Sequence, residues 1–264
     1  MLAFVIVLGN NAPMLPLEDE NKSRRFPLVN TALIVVNALI FAWQSIFIPH
    51  EQLFPLFYRF GVVSTRLVHQ TDPEQISTIL TALFLHANFV HLLANMWFLF
   101  LFGDNVEDRL GHVRYLAFYL LMGIFSTFCQ VAVNLDLKDT AIGASGAVAG
   151  VMGAYLALFP EVKIKTWLPP FFVFEVPCWI LIGLWFVLNC LCVPLAGLNG
   201  AKGGDPTDYV AHVGGFITGL TVMKTLLAVK QVRAKDAANF GKYEKAMEEI
   251  NPWLKETGDH EQLP

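Results

Sequence analysis

The sequence of 264 residues is 55% hydrophobic, only 15% charged and close to neutral, with a formal net charge of −4. The charged fraction lies well below the roughly 25% that is usual in soluble domains, which argues against a soluble globular protein. The sequence also lacks a basic, aromatic-rich patch, so nucleic acid is not a predicted partner.

The N-terminal segment, residues 1–26, is expected to lie in the cytoplasm. Residues 1–13 are interpreted as an upstream extension, since the sequence from Met14 resembles a natural start. Lys22, Arg24 and Arg25 come directly before the first apolar block, and positive charge favours the cytoplasmic side of a membrane.

Six apolar blocks follow, each long enough or nearly so to cross a hydrocarbon core of about 30 Å. They are Pro27–Ile48, Ile79–Phe102, Val113–Leu135, Ile142–Phe159, Pro177–Leu198 and Tyr209–Val229. We therefore predict an all-α polytopic membrane protein, a six-helix bundle at residues 27–230 with a polar cytoplasmic tail at residues 231–264. Six alternating spans place fourteen of the eighteen Lys and Arg side chains in the cytoplasm, which supports the count and the orientation.

Two connectors are richer in aromatic residues than free loops usually are. The first external loop, Pro49–Thr78, and the internal segment Lys165–Pro177 are both interpreted as lying at the membrane interface. An ordinary folded connector is the alternative for the first. Pro169 and Pro170 make a continuous helix in the second improbable.

Four polar side chains inside the predicted spans need explaining, because such residues are costly in lipid and tend to mark function. His91 and Asn95 lie one helical turn apart in the second span, Ser145 is in the fourth and His212 in the sixth. The predicted topology brings all four to a similar depth, a few residues below the external surface.

Glycines recur at helical spacing in two of these spans, which lets helix backbones approach closely. They are Gly143, Gly146, Gly150 and Gly153 in the fourth span, and Gly215 and Gly219 in the sixth. Close packing there would direct His212 towards a neighbouring helix.

These side chains are of the kinds that acyl transfer requires. A serine needs a base to take its proton, and histidine suits that task near neutral pH. Donors such as an Asn amide and a His N–H can stabilise an oxyanion. Since no carboxylate lies at a matching depth, we expect a Ser–His dyad. The four cysteines lack metal-site spacing, and neither a metal nor an organic cofactor is expected.

Three stretches of sequence match a known family pattern. They are Gly143-Ala144-Ser145-Gly146, then His86 with His91 and Asn95, and Ala211-His212 with Gly215 and Gly219. The first resembles the G-x-S-G motif of rhomboid intramembrane serine proteases, and the others resemble motifs of that family's second and last core helices. The resemblance covers the core from about Arg25 to Lys230.

The resemblance implies a catalytic Ser145 that is activated by His212. The oxyanion hole would consist of the Ser145 backbone N–H with the side chains of Asn95 and His91. His86 and the motif glycines Gly143, Gly146, Gly215 and Gly219 would have structural roles near the site.

The resemblance also implies a movable gate at Pro177–Leu198 and a cap at Asn199–Thr207, and the three glycines of that cap make its mobility plausible. Substrates would be single-span membrane proteins, cut near the outer face of a membrane, which we expect to be a bacterial inner membrane. The chain departs from the family at Ser77-Thr78, where many members carry Trp-Arg. It also departs at Ala149, where some bacterial members have a Tyr that stacks on the catalytic His.

Two other classes of function remain open at this point. One is a transporter or channel, although the spans show neither an inverted repeat nor acidic residues. The other is a non-catalytic membrane chaperone of the same fold. The sequence leaves the substrate and the oligomeric state open.

Overall fold

The computed structural model describes residues 15–70, 73–133, 135, 138–168, 172–199 and 206–250. Several predicted features lie outside these residues, namely the extension at residues 1–13 with Met14, the pair Pro169 and Pro170, the cap glycines Gly200, Gly203 and Gly204, and the tail beyond residue 250. The chain divides into two compact units, of which the first ends at Met223 and the second begins at Lys224.

Helices dominate the described residues, as the sequence predicts. Nine α-helices occur there: α1 (Leu28–Phe47), α2 (His50–Phe60), α3 (Ser64–His69), α4 (Pro73–Thr81), α5 (Phe89–Leu110), α6 (His112–Val133), α7 (Ser145–Leu158), α8 (Cys178–Asn199) and α9 (Pro206–Ile250). Five short strands accompany them: β1 (Leu15–Asp19), β2 (Val62–Val63), β3 (Thr140–Ala141), β4 (Lys163–Leu168) and β5 (Phe172–Pro177). The strands were not predicted.

Four of the described helical stretches are long and apolar enough to cross a membrane. They are Leu28–Phe47, Phe89–Leu110, His112–Val133 and Asp208–Lys230. Two shorter apolar stretches, Ser145–Leu158 and Cys178–Pro194, lie where the fourth and fifth spans were predicted. The all-α polytopic membrane fold is therefore confirmed, whereas the count of six spans stays a prediction.

The second span begins later than predicted. The apolar block Ile79–Phe102 suggested one continuous helix, but a break separates α4 from α5, which begins only at Phe89. Asn88 caps α5, because its side chain accepts a hydrogen bond from the backbone N of His91 at 2.9 Å. Leu83 is apolar but is buried within the protein, so hydropathy alone could not separate this stretch from a span.

Helix α1 turns its polar side chains towards the protein and its apolar side chains outwards. Asn30, Asn37 and Gln44 are buried at helical spacing, while Leu39 and Ile46 are exposed. This arrangement is the reverse of a soluble amphipathic helix and is what lipid on the outer face favours. Helix α1 is thus positioned by buried amides.

A three-stranded antiparallel sheet forms in the order β1-β4-β5. The segment Lys165–Pro177, predicted to lie at the interface, contributes most of the β4–β5 hairpin in this sheet. Three hydrogen bonds attach β1 to the helices. Trp97 Nε1 donates to the carbonyl of Pro16 at 2.8 Å, Nδ2 of Asn105 donates to Asp19 at 3.0 Å, and the hydroxyl of Tyr155 also donates to Asp19. The N-terminal strand therefore connects the hairpin to α5 and α7.

The first connector folds into α2, α3 and α4 and is attached to the segment before α7. Val62 and Val63 pair with Ala141 and Thr140 in the small antiparallel sheet of β2 and β3. This pairing fixes the chain a few residues before the glycine-rich loop that leads into α7.

Glycine contacts allow α7 to approach its neighbours closely. A Cβ at Gly146 would meet Ser126 of α6, and Cβ atoms at Gly215 and Gly219 of α9 would meet the carbonyl oxygens of Gly146 and Gly150. The helices therefore touch backbone to backbone, as the glycine spacing predicts.

Candidate active site

Ser145 is the first residue of α7, and the loop before it determines its position. Gly143 has a φ of +120°, a backbone conformation that favours glycine. The prediction that Gly143 belongs to the helical glycine stripe is wrong, because the helix starts two residues later. The backbone N–H of Ser145 lies in the first turn of α7, where N–H groups have no acceptor within the helix.

Gly143 allows this loop to lie directly against two side chains of α5. A Cβ at Gly143 would lie 2.7 Å from Cε1 and 2.8 Å from Nε2 of His91, and 3.7 Å from Nδ2 of Asn95. Distances below 3 Å are too short for a carbon contact, so a larger residue would displace the His91 ring. The structure therefore brings His91 and Asn95 next to the loop that carries Ser145.

The side chain of Asn95 is completely buried. Among the residues that the structure describes, neither its Oδ1 nor its Nδ2 has a hydrogen-bond partner. An unpaired buried amide costs about 1–3 kcal/mol, so such a group usually serves a purpose. Asn95 thus offers a free amide donor at the loop of Gly143.

His212 lies on α9 and is almost completely buried. Its Nδ1 is 2.9 Å from Oδ1 of Asn189 on α8, and Nδ2 of Asn189 donates to the carbonyl of Trp185 at 2.9 Å. The ring centroids of His212 and Trp185 are 6.0 Å apart. The imidazole is therefore held by α8 on one side.

The helices that carry Ser145 and His212 meet beside these two residues. A Cβ at Gly146 would lie 3.6 Å from the carbonyl oxygen of Ala211, so the neighbours of both side chains are in contact. In the described part of the chain, the Ser145 hydroxyl and the His212 ring are not hydrogen-bonded to each other. Such bonds are often long in unliganded sites and shorten when substrate binds.

A small cavity of about 30 Å³ opens beside Ser145. Ser126, Thr127 and Gln130 of α6 contribute polar atoms to its wall. One water molecule needs about 10–15 Å³ and two to four polar partners, and this cavity meets both requirements.

His86 lies in the break before α5 and is fully buried. Its carbonyl accepts a hydrogen bond from Nε2 of Gln44 at 2.5 Å, and its ring is 5.1 Å from that of His91 in an edge-to-face arrangement. It therefore supports the His91 ring and connects it to α1.

Sequence reasoning missed Asn189. A single amide in an otherwise apolar block was a visible signal, of the same kind that singled out Asn95. Nothing in the sequence, however, relates α8 to His212. Gln130 was missed for a similar reason, since only the fold places it at the cavity beside Ser145.

These residues are of the types that acyl transfer requires. Ser145 supplies a hydroxyl at a helix start, His212 supplies a positioned imidazole, and the region of Asn95 and His91 supplies donors for a negatively charged oxygen. The cavity can hold the water that hydrolysis requires.

Residues 73–229 match the Rhomboid domain family. The chain is 30% identical over 176 residues to RHOMBOID-like protein 6, mitochondrial, of Arabidopsis thaliana, which is 66% of this chain and 52% of that protein. It is 31% identical over 194 residues to Rhomboid protein 1, mitochondrial, of Saccharomyces cerevisiae, which is 72% of this chain and 50% of that protein.

The chain is also 27% identical over 195 residues to Presenilin-associated rhomboid-like protein, mitochondrial, of Mus musculus, which is 72% of this chain and 46% of that protein. It therefore spans about half the length of these curated relatives.

Proposed function

Because the chain belongs to the rhomboid family, we propose that it is an intramembrane serine endopeptidase with a Ser145–His212 dyad. Its substrates in this proposal are single-span membrane proteins, cut near the membrane face on which Ser145 lies. The proposed catalytic core covers residues 27–230 with six spans, and the tail at residues 231–264 takes no part in the chemistry.

The reaction would proceed in two steps. In the first, Oγ of Ser145 attacks the scissile carbonyl while Nε2 of His212 takes the hydroxyl proton. The oxyanion accepts hydrogen bonds from the Ser145 N–H, the Asn95 amide and the His91 ring N–H, and His212 then protonates the leaving amine. In the second step a water attacks the acyl-enzyme ester with His212 again as base, which releases the acid and restores Ser145.

The observation that carries this proposal is the unpaired amide of Asn95. A protein that only bound helices would lose stability by burying an amide without a partner in the described residues. An oxyanion that forms only during reaction explains why the donor is kept free. The cavity beside Ser145 adds a place for the second substrate, water.

The proposed orientation rests on the distribution of basic residues, which does not identify the membrane. Fourteen of the eighteen Lys and Arg side chains fall on one side of the proposed six spans, which makes that side cytoplasmic or its equivalent. Three of the relatives compared above are named as mitochondrial, which weighs against the bacterial inner membrane that the sequence suggested. The proposal therefore specifies a side of the bilayer, with Ser145 opposite the basic ends.

The proposal is tested by labelling the detergent-purified full chain with a fluorophosphonate serine probe. Wild type should label, Ser145→Ala should not, and His212→Ala should label about 10²- to 10⁴-fold more slowly because the general base is lost. Ser77→Ala is the matched control, since it removes an exposed hydroxyl in the first connector. A folded wild type that neither labels nor cleaves a reconstituted single-span substrate would instead support a non-catalytic binder.

A further inference from the structure

The surroundings of His212 include an amide whose orientation is fixed by a second contact. Nδ2 of Asn189 donates to the backbone carbonyl of Trp185, which can only accept. If the amide were turned over, two acceptor oxygens would face each other. Oδ1 of Asn189 must therefore point at the His212 ring, 2.9 Å away.

This orientation decides which nitrogen of the imidazole carries the proton. Because Oδ1 is an acceptor, Nδ1 of His212 must be the N–H donor in the neutral ring. The lone pair is then on Nε2, the nitrogen that a general base would present to Ser145. The opposite tautomer would have a proton on Nε2 and could not accept another.

Aromatic contacts alone do not make this choice. The ring centroids of Trp185 and Tyr209 lie 6.0 Å and 6.3 Å from that of His212, and these contacts confine the plane of the imidazole but do not choose its tautomer. Ala149, at the position of the stacked Tyr in some family members, is buried on α7 and too short to orient a ring by stacking.

We propose that Asn189 is a positioning residue that keeps His212 in the Nδ1–H tautomer, with Nε2 directed to Ser145. This inference rests on the proposed function, because it assigns His212 the role of base. When His212 takes the proton, Oδ1 continues to accept from Nδ1 and its dipole stabilises the imidazolium. An amide performs this task with less desolvation than a buried carboxylate would require in a membrane helix.

The test uses two substitutions of nearly the same size and shape as Asn. Asn189→Leu removes the acceptor, whereas Asn189→Asp keeps an oxygen in its place. Asn37→Leu is the control: Asn37 is also fully buried in a membrane helix, and its Nδ2 also donates to the carbonyl four residues earlier, that of Leu33, at 2.8 Å.

Cleavage of a single-span substrate in proteoliposomes is measured with each variant of the full chain. Asn189→Leu should lower kcat about 10- to 100-fold with KM within about twofold, since the base is disordered but present. Asn189→Asp should recover most of kcat, and Asn37→Leu should keep the wild-type kcat. A loss due only to altered packing of α8 would leave the ring tautomer of His212 unchanged in Asn189→Leu, and that result would overturn the inference.

The second readout is the ¹⁵N chemical shift pair of the His212 ring in histidine-labelled protein, with His212→Ala for assignment. Wild type and Asn189→Asp should show the Nδ1–H tautomer, and Asn189→Leu a mixture. If Asn189→Leu unfolds, Asn189→Ala removes the same acceptor with a smaller side chain. A wild-type kcat or an unchanged tautomer in the acceptor-free variant would overturn the inference. A folded wild type without activity would refute the proposed function, and the ring shifts would still decide the tautomer.

Discussion

A methyl group added at Gly215 should separate the two helices that carry the proposed dyad. The added Cβ would meet the carbonyl oxygen of Gly146 well inside van der Waals contact, and neither backbone can rotate out of the way. To relieve this clash the helices must move apart by roughly 1 Å, because nonbonded heavy atoms prefer separations of about 3.5 Å or more. Overpacking of this kind destabilises by about 1–3 kcal/mol.

The effect on activity of Gly215→Ala should exceed its effect on stability. A displacement of about 1 Å between reacting groups can lower a rate about 100-fold. The assay is the rate of fluorophosphonate labelling, measured together with thermal unfolding in the same detergent. Both should fall, with the labelling rate reduced about 100-fold while most of the protein remains folded.

Gly183→Ala is the control for this experiment. Gly183 lies in α8, and nothing lies within 4 Å of where its Cβ would be. Alanine there should leave the labelling rate unchanged and should stabilise the helix by up to about 1 kcal/mol. If Gly215→Ala behaves like Gly183→Ala, close packing of α7 and α9 does not position the site.

Two further predictions concern Asn95 and Asp19. Asn95→Leu should leave thermal stability unchanged or raise it, because the amide lacks a partner in the described residues. At the same time kcat should fall about 10²- to 10³-fold, because an oxyanion donor is lost. A less stable variant that still cleaves would contradict this prediction. Burial, reinforced by the nearby Asp104 and Glu18 carboxylates, raises the pKa of Asp19 to about 6. Between about pH 4 and pH 6 the folded chain therefore retains a proton that the unfolded chain has lost, so wild-type stability should fall as pH rises through this window. The free energy of unfolding should fall by about 1–2 kcal/mol, after allowance for the partial exposure of Asp19, and this fall should be absent in Asp19→Asn. The measurement is urea unfolding of both proteins at several pH values. An equal change of unfolding free energy with pH in the two proteins would refute the prediction.

The features that depend on local composition could be predicted from the sequence. Long apolar blocks separated by charged connectors identify membrane helices, and the bounds predicted for α1 and α6 differ from the structure by only one or two residues. Close approach of helix backbones at Gly146 and at Gly215 could be predicted, because glycine spacing determines where helix backbones can touch.

The features that depend on distant parts of the chain could not be predicted. Leu83 and its neighbours are apolar because they pack inside the protein, and a hydropathy pattern does not distinguish that environment from lipid. Strand β1 pairs with β4, almost 150 residues later, and no local feature of the sequence indicates that pairing. Asn189 and His212 are likewise brought together only by the packing of α8 against α9.

Helix α8 carries the acceptor for His212 and also exposes apolar side chains, which the proposed six-span topology directs towards the bilayer. Trp179, Val187 and Leu191 are about half exposed and directed away from the protein interior, while Asn189 is fully buried. Under the proposed function, the lipid surroundings are part of the structure that orients the catalytic base. If the proposal holds, bilayer thickness and acyl-chain order should influence turnover, and activities measured in different detergents should differ.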